Sequence, residues 1–296
     1  MYPKPFEYVR PESLDRALEL LARHGADARP LAGGQSLLPL MKQRLATPRV
    51  VVDIGRLGEL AQLDDDGGSL RIGSLVTHAA IEARDWPERL ALLHDGASVI
   101  GDVQVRNLGT VGGALAHADP VGDWGPVLQA LDASVRIRSS RGEREVSVAE
   151  LFTDAFATVL GPDELITAID VPAPDGAATG AYVKLARRVG DAGVASVAVQ
   201  VRWASDGRCA SSAIAVGAVG AAPLRAAEAE AFLSGRTLDE ATMAEAARLA
   251  QAAVTPFSDV RGSAEYRRDM VAVALTRALE IASRRHAGER VEAGYG

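Results

Sequence analysis

A single cysteine, Cys209, in 296 residues excludes an internal disulfide and cannot by itself hold an iron–sulfur cluster or a structural zinc. Histidines are few: His24, His78, His94, His117 and His286 show no paired ligand spacing, so any metal is expected to belong to a partner chain. No apolar run approaches the roughly 20 residues that span a bilayer. The opening MYPKPFEYVRPES lacks the basic and apolar regions of a signal peptide, which makes the cytoplasm the expected location. Aromatics are only 4% of the chain, and its net charge of −7 comes from mixed signs without a basic block, so no nucleic-acid surface is expected.

What the chain does have is 48% hydrophobic residues, enough to bury a substantial core over two domains. Ser13 is placed to cap a helix whose Leu14, Ala17, Leu18 and Leu21 form one apolar stripe, and Gly25 to stop it. A strand over 28–31, a helix over 37–45 and a buried strand over 50–54 complete a β-α-β-α-β unit. A hairpin around DDDGG follows over 62–73. Thr77 caps the next helix, with Val76 and Ile81 as a hydrophobic staple, and 89–100 reads as another helix. Beyond the glycine-rich passage 101–125, strands at 134–138, 145–148 and 165–171 suggest one mostly antiparallel sheet. VPAPDGAATG, 171–180, reads as a linker. Past it come a hairpin around Asp206 and Gly207 and alanine-rich helices over 226–253 and 264–285. The expected fold class is α+β.

Two glycine-rich turns are the candidates for ligand chemistry. In AGGQS, Gly33 and Gly34 let backbone N–H groups approach a phosphate, with Gln35 and Ser36 adding side-chain hydrogen bonds. In NLGTVGGALAHADPVGDW, Gly109, Gly112 and Gly113 leave backbone accessible, Thr110 offers a hydroxyl, and Asp119 and Asp123 can accept ribose or amide hydrogen bonds. Gly33 and Gly112 are both expected where backbone touches ligand. Neither turn fits GxGxxG or GxxxxGK[ST]. Asp53 reads as a turn residue, Cys209 as a small buried hydrophobe, and the pairs Arg187/Arg188 and Arg267/Arg268 as solvated charge.

Taken together, LAGGQSLLPLMKQRLATP, IGDVQVRNLGTVGGALAHADP and GSAEYRRDM closely resemble the medium, FAD-binding subunits of the carbon monoxide dehydrogenase and xanthine dehydrogenase family, over nearly the whole chain. The resemblance implies an FAD-binding fold of the p-cresol methylhydroxylase and vanillyl-alcohol oxidase type, with two α/β subdomains and an α+β C-terminal domain. The implied division is 1–176 (subdomains 1–58 and 59–176), 177–286, and a tail 287–296. It implies that Pro30, Leu31, Ala32, Gly33, Gly34, Gln35, Ser36 and Leu37, with Thr110, Val111, Gly112, Gly113 and Ala114, cradle the FAD pyrophosphate and flank the flavin. Asp123 would lie on the nucleotide side, and Ile166 and Lys184 match flavin-contacting positions. His117 is either a flavin contact or a loop histidine that caps backbone. The chain departs from the pattern at Leu108, where a basic residue is usual, and at Ala192, where an aromatic commonly follows Gly-Asp.

No activated nucleophile, carboxylate dyad or metal cluster is legible, so a bound cofactor would supply the redox chemistry. The resemblance implies two partners: a large subunit with a molybdenum cofactor and a small one with two [2Fe-2S] clusters, assembled as a dimer of heterotrimers. Two alternatives are a self-contained flavin reductase of the same fold and a structural subunit that has lost FAD.

Overall fold

The computed structural model describes residues 2–172 and 176–295. The division expected after residue 176 adjoins residues 173–175 of the expected linker, which lie outside the described residues.

The first unit runs β1 (Glu7–Val9), α1 (Leu14–His24), β2 (Ala28–Leu31), α2 (Leu37–Gln43), β3 (Val50–Asp53). Its sheet is parallel, in the order β1-β3-β2. Because β3 is central, all four of its residues are buried and the sequence reads VVVD without alternation. β2 is an edge strand, which accommodates Pro30 opposite Val52. The Ser13 hydroxyl accepts the Arg16 N–H at 3.2 Å to start α1. This helix buries Leu14, Leu18, Leu20 and Leu21, each contributing about 1.5–3 kcal/mol. α2 stops at Gln43, short of the expected Leu45, because Arg44 turns left-handed at φ 62°.

Next come β4 (Leu63–Asp65), β5 (Ser69–Gly73), α3 (His78–Glu82), α4 (Ala91–Ser98), α5 (Val103–Leu108), α6 (Val111–His117) and α7 (Trp124–Ala130). They are followed by β6 (Ser134–Ser139), β7 (Gly142–Ser147), α8 (Val148–Leu151), β8 (Phe152–Asp154), β9 (Ala157–Thr158) and β10 (Leu165–Pro172). Five of these strands form an antiparallel sheet, β4-β5-β10-β6-β7. Thr77 caps α3, and Val76 and Ile81 are buried in one cluster, as a staple requires. The passage 101–125, read from sequence only as glycine-rich and holding a turn, contains α5, α6 and the start of α7.

The third unit comprises β11 (Ala178–Leu185), β12 (Ala195–Trp203), β13 (Cys209–Gly217), β14 (Leu224–Arg225), α9 (Ala227–Leu233), α10 (Glu240–Ala253), α11 (Ala264–His286) and β15 (Gly294–Tyr295). Its sheet order is β14-β13-β12-β11-β15. The helices α9 to α11 cover one face, while Tyr182, Ala198 and Ala215 join the core of the second unit on the other. The Arg285 guanidinium of α11 makes a buried two-point bridge to Asp95 of α4, at 2.8 and 2.9 Å. The end of the expected tail is therefore not loose: β15 pairs in parallel with β11.

Arg267 corrects the sequence reading of solvated charge. It is fully buried, donating to the carbonyls of Val194 and Ala218 and to Asp259. Cys209 is buried, and burial pushes its thiol up to about 11. Asp53 accepts the Gly55 N–H at 2.9 Å, the arrangement of a turn residue. Among the described residues, no helix is long and apolar enough to cross a membrane.

Candidate functional site

The turn from β2 into α2 faces the 109–124 segment across a cleft of about 480 Å³, a size usual for small-molecule sites, roughly 300–1,000 Å³. Lys184, Gly190, Asp191 and Ala192 close it from the third unit. Pro30, Ala32, Gly33, Gly34, Gln35, Ser36 and Leu37 line one wall. Thr110, Gly113, Ala114, His117, Asp119 and Asp123 line the other. Four expected residues do not reach it. Leu31 is passed over between the lining residues Pro30 and Ala32, Val111 and Gly112 are buried, and Ile166 lies in the core beside a bulge of β10.

In the first turn the two glycines have different reasons. Gly34 sits at φ +74°, a conformation that side chains resist. At Gly33, a Cβ would lie 1.8 Å from the Leu108 carbonyl oxygen, so only glycine lets the turn approach the end of α5. Among the described residues, the N–H groups of Gly33, Gly34, Gln35 and Ser36 take no protein acceptor. The Ser36 hydroxyl makes no cap hydrogen bond and is likewise free, whereas the Gln35 amide folds back to donate to the Gly33 carbonyl at 3.3 Å. Arg29 also lines the cleft; one guanidinium nitrogen donates to the carbonyls of Ala26 and Ala28, at 3.3 and 2.9 Å, and the others have no hydrogen-bond partner among the described residues. Free amides beside a guanidinium with donors to spare are the chemistry that an anion would need.

The second segment works differently from the expected open turn. Thr110 caps α6, its hydroxyl accepting the Gly113 N–H at 3.1 Å. The N–H groups of Val111 and Gly112 donate at 3.0 Å to the carbonyls of Val76 and Ser74. These amides are spent on the fold. The glycines serve packing: a Cβ on Gly112 would meet Ser74 Cβ at 2.4 Å. This wall offers surface, not a nest of donors.

At the base of the cleft lies a buried polar cluster. Asp123 accepts from Tyr182 Oη at 2.7 Å and Lys184 Nζ at 3.0 Å, and Lys184 also donates to the Val99 carbonyl at 3.1 Å. Burial pushes the Asp123 carboxyl up, against the ammonium and hydroxyl that hold its charge. Asp123 thus anchors the base of the cleft through Tyr182 and Lys184, and it also lines that cleft. Lys184 keeps one N–H uncommitted. Tyr295 Oη donates to the same Val99 carbonyl at 2.9 Å and accepts the Gly190 N–H at 2.6 Å, tying the rim to β15. Asp119 accepts the Val121 N–H at 3.0 Å through one oxygen, and His117 packs against Phe156 with ring centroids 5.2 Å apart.

Sequence reasoning missed Arg29, His78, Gly101 and Trp124 as lining residues. A basic residue next to the strand's proline was a legible signal for Arg29. His78 and Trp124 carried none, since they meet through a contact 46 residues apart in sequence.

Comparison with known proteins adds three findings. Residues 4–174 match the FAD binding domain in molybdopterin dehydrogenase, and residues 180–282 match the CO dehydrogenase flavoprotein C-terminal domain. The chain is 40% identical to the carbon monoxide dehydrogenase medium chain of Afipia carboxidovorans, over 96% of this chain and 99% of that one. Identity to the glyceraldehyde dehydrogenase medium chain of Sulfolobus acidocaldarius is 39%, over 95% and 99%. Among solved structures, reconstituted CO dehydrogenase from Oligotropha carboxidovorans superposes with a TM-score of 0.93 at 40% identity, covering 96% of this chain and 100% of that one.

Proposed function

This chain belongs to the family of FAD-binding medium subunits of the molybdenum hydroxylases, and on that premise we propose that it relays electrons from the [2Fe-2S] clusters of a small partner subunit to an external acceptor. A large subunit would carry the molybdenum cofactor and the organic substrate. We further propose a cytoplasmic dimer of heterotrimers, with the FAD-binding part ending near residue 176. The observation that carries the reading is the set of unpartnered N–H groups at Gly33, Gly34, Gln35 and Ser36, which face a cleft that Arg29 also lines.

The residues present fit the cofactor. A pyrophosphate needs several converging donors and no side chain in the way, which the glycine pair provides. Gly33 to Ser36 and Arg29 would hold the pyrophosphate, and Thr110, Gly113 and Ala114 would form the facing wall. Lys184, braced by Asp123 and Val99, would have its remaining N–H to offer the cofactor. Bound FAD supplies the ability to take electrons singly from an iron–sulfur partner and to give them up in pairs. The chain's contribution would be to orient that group and shield it, and Ala192, which lines the cleft, would cover it less than an aromatic side chain there.

The experiment separates subunit from self-sufficient enzyme. The metal-free, FAD-loaded chain is expected to pass electrons from a chemical reductant to a dye and to leave the complex's organic substrate untouched, while the assembled complex oxidises it. Turnover of that substrate by the isolated chain would falsify the relay assignment.

A further inference from the structure

His78 lines the cleft, yet it is almost wholly buried, at 4% exposure. Its Nδ1 lies 3.0 Å from Trp124 Nε1. An indole N–H can only donate, so Nδ1 is the acceptor and the imidazole proton must reside on Nε2. Burial, with the Arg106 guanidinium nearby, draws the imidazole down to about 4, so the ring stays neutral at physiological pH and keeps this tautomer. Arg106 is itself paired with Glu82 at 2.7 Å.

The edge that carries Nε2 faces Gly109, another lining residue. Gly109 has φ −63° and ψ 143°, which any residue can adopt. Glycine is needed there for space: a Cβ would stand 2.7 Å from His78 Nε2 and 2.9 Å from the Val105 carbonyl. Among the described residues the ring's one side-chain hydrogen bond is at Nδ1, and Nε2 is not among the partnerless polar atoms sealed from solvent, so its N–H is left to the cleft. A fixed, neutral donor lining a ligand cleft, with no side chain on Gly109 to cover it, is available to an acceptor from outside the chain.

We propose that His78 is a further cofactor-binding residue, its Nε2–H donating a hydrogen bond to an acceptor atom of the FAD bound in this cleft. The proposal rests on the cofactor reading given above. Trp124 is then a positioning residue, because its indole selects the tautomer that presents the donor.

Two substitutions divide the roles of the ring. Asparagine places an amide oxygen near Nδ1 and has nothing at Nε2, while glutamine extends an amide group toward Nε2 and abandons Nδ1. His78→Asn is expected to melt near wild type and bind FAD about tenfold more weakly, the loss of one hydrogen bond. His78→Gln is expected to keep more FAD affinity and lose stability. In the wild-type chain labelled with ¹⁵N-histidine, adding FAD should shift the His78 Nε2 resonance and leave Nδ1 nearly unmoved. That measurement decides the matter should either variant fail to fold. An unmoved Nε2 resonance in a chain that demonstrably takes up FAD, or full FAD affinity in His78→Asn, overturns the donor role alone. A wild-type chain that takes up no FAD overturns the cofactor reading and this assignment together.

Discussion

Gly33→Val is expected to yield a folded chain that no longer retains FAD. The first atom of any side chain there would stand 1.8 Å from the Leu108 carbonyl oxygen and 2.6 Å from its carbon, both backbone at the end of α5. Neither can rotate away. The turn must retreat from α5, carrying the amides of Gly33 to Ser36 out of register with a pyrophosphate. Hydrogen bonds to a charged group contribute about 1.5–3 kcal/mol each, so losing two weakens binding on the order of a hundredfold or more. Strain adds about 1–3 kcal/mol to the cost in fold stability. Flavin absorbance per chain after gel filtration reads the first effect, and circular dichroism against wild-type apoprotein reads the second. Stoichiometric FAD in a folded variant would place the cofactor elsewhere.

The companion Gly112→Val, which the sequence presents as an equivalent test, is not one. Gly112 is buried against Ser74, with Cα and carbonyl oxygen both 2.8 Å from a new Cβ, so this change damages the fold and any flavin loss follows from that.

Lys184→Met is expected to lower stability by about 3–5 kcal/mol, because it strands a buried carboxylate. The Lys184 and Asp123 side chains are only 3% and 7% exposed, and Asp123 would retain just the Tyr182 hydroxyl. For a chain of this size the melting temperature should fall by roughly 6–20 °C. The sign with pH follows. Without the ammonium, burial holds the Asp123 carboxyl further above its unfolded value, so the penalty is present at neutral pH and fades as pH falls toward that value and the carboxyl protonates. Lys184→Met should thus sit closer to wild type at pH 5 than at pH 8. The double variant Asp123→Asn with Lys184→Met should recover part of the loss, since no charge is left buried. Thermal melts test all three, and an unchanged Lys184→Met melt would show the pair to be incidental.

Local chemistry was legible and distant chemistry was not. Ser13, Gly25 and Thr77 announced their helix ends because a cap acts within three or four residues. The AGGQS wall was legible because a glycine pair at a strand-to-helix turn is a local signal: Gly34 is needed by the turn itself at φ +74°, while the reason for Gly33, the approach to Leu108, came only with the fold. The second segment reads as a turn with accessible backbone because glycines weaken helices, and nothing local reveals that Ser74 and Val76 would pack against α6 and take its first amides. Arg267, Tyr182 with Asp123, and His78 with Trp124 form pairings of 8 to 59 residues in sequence separation, and each buries a polar group whose partner only the fold supplies. Asp123 is the clearest case: its place near the cleft was foreseen, while its engagement by Lys184 across the unit boundary was not.

The central claim is that this chain holds FAD in the cleft, without a covalent bond, through the amides of its first glycine turn. Precipitating the purified chain with acid and identifying the released chromophore by mass tests it most directly. One FAD per chain in the supernatant, and colourless protein in the pellet, is the predicted result. FMN in place of FAD, or flavin that stays with the denatured protein, would contradict it.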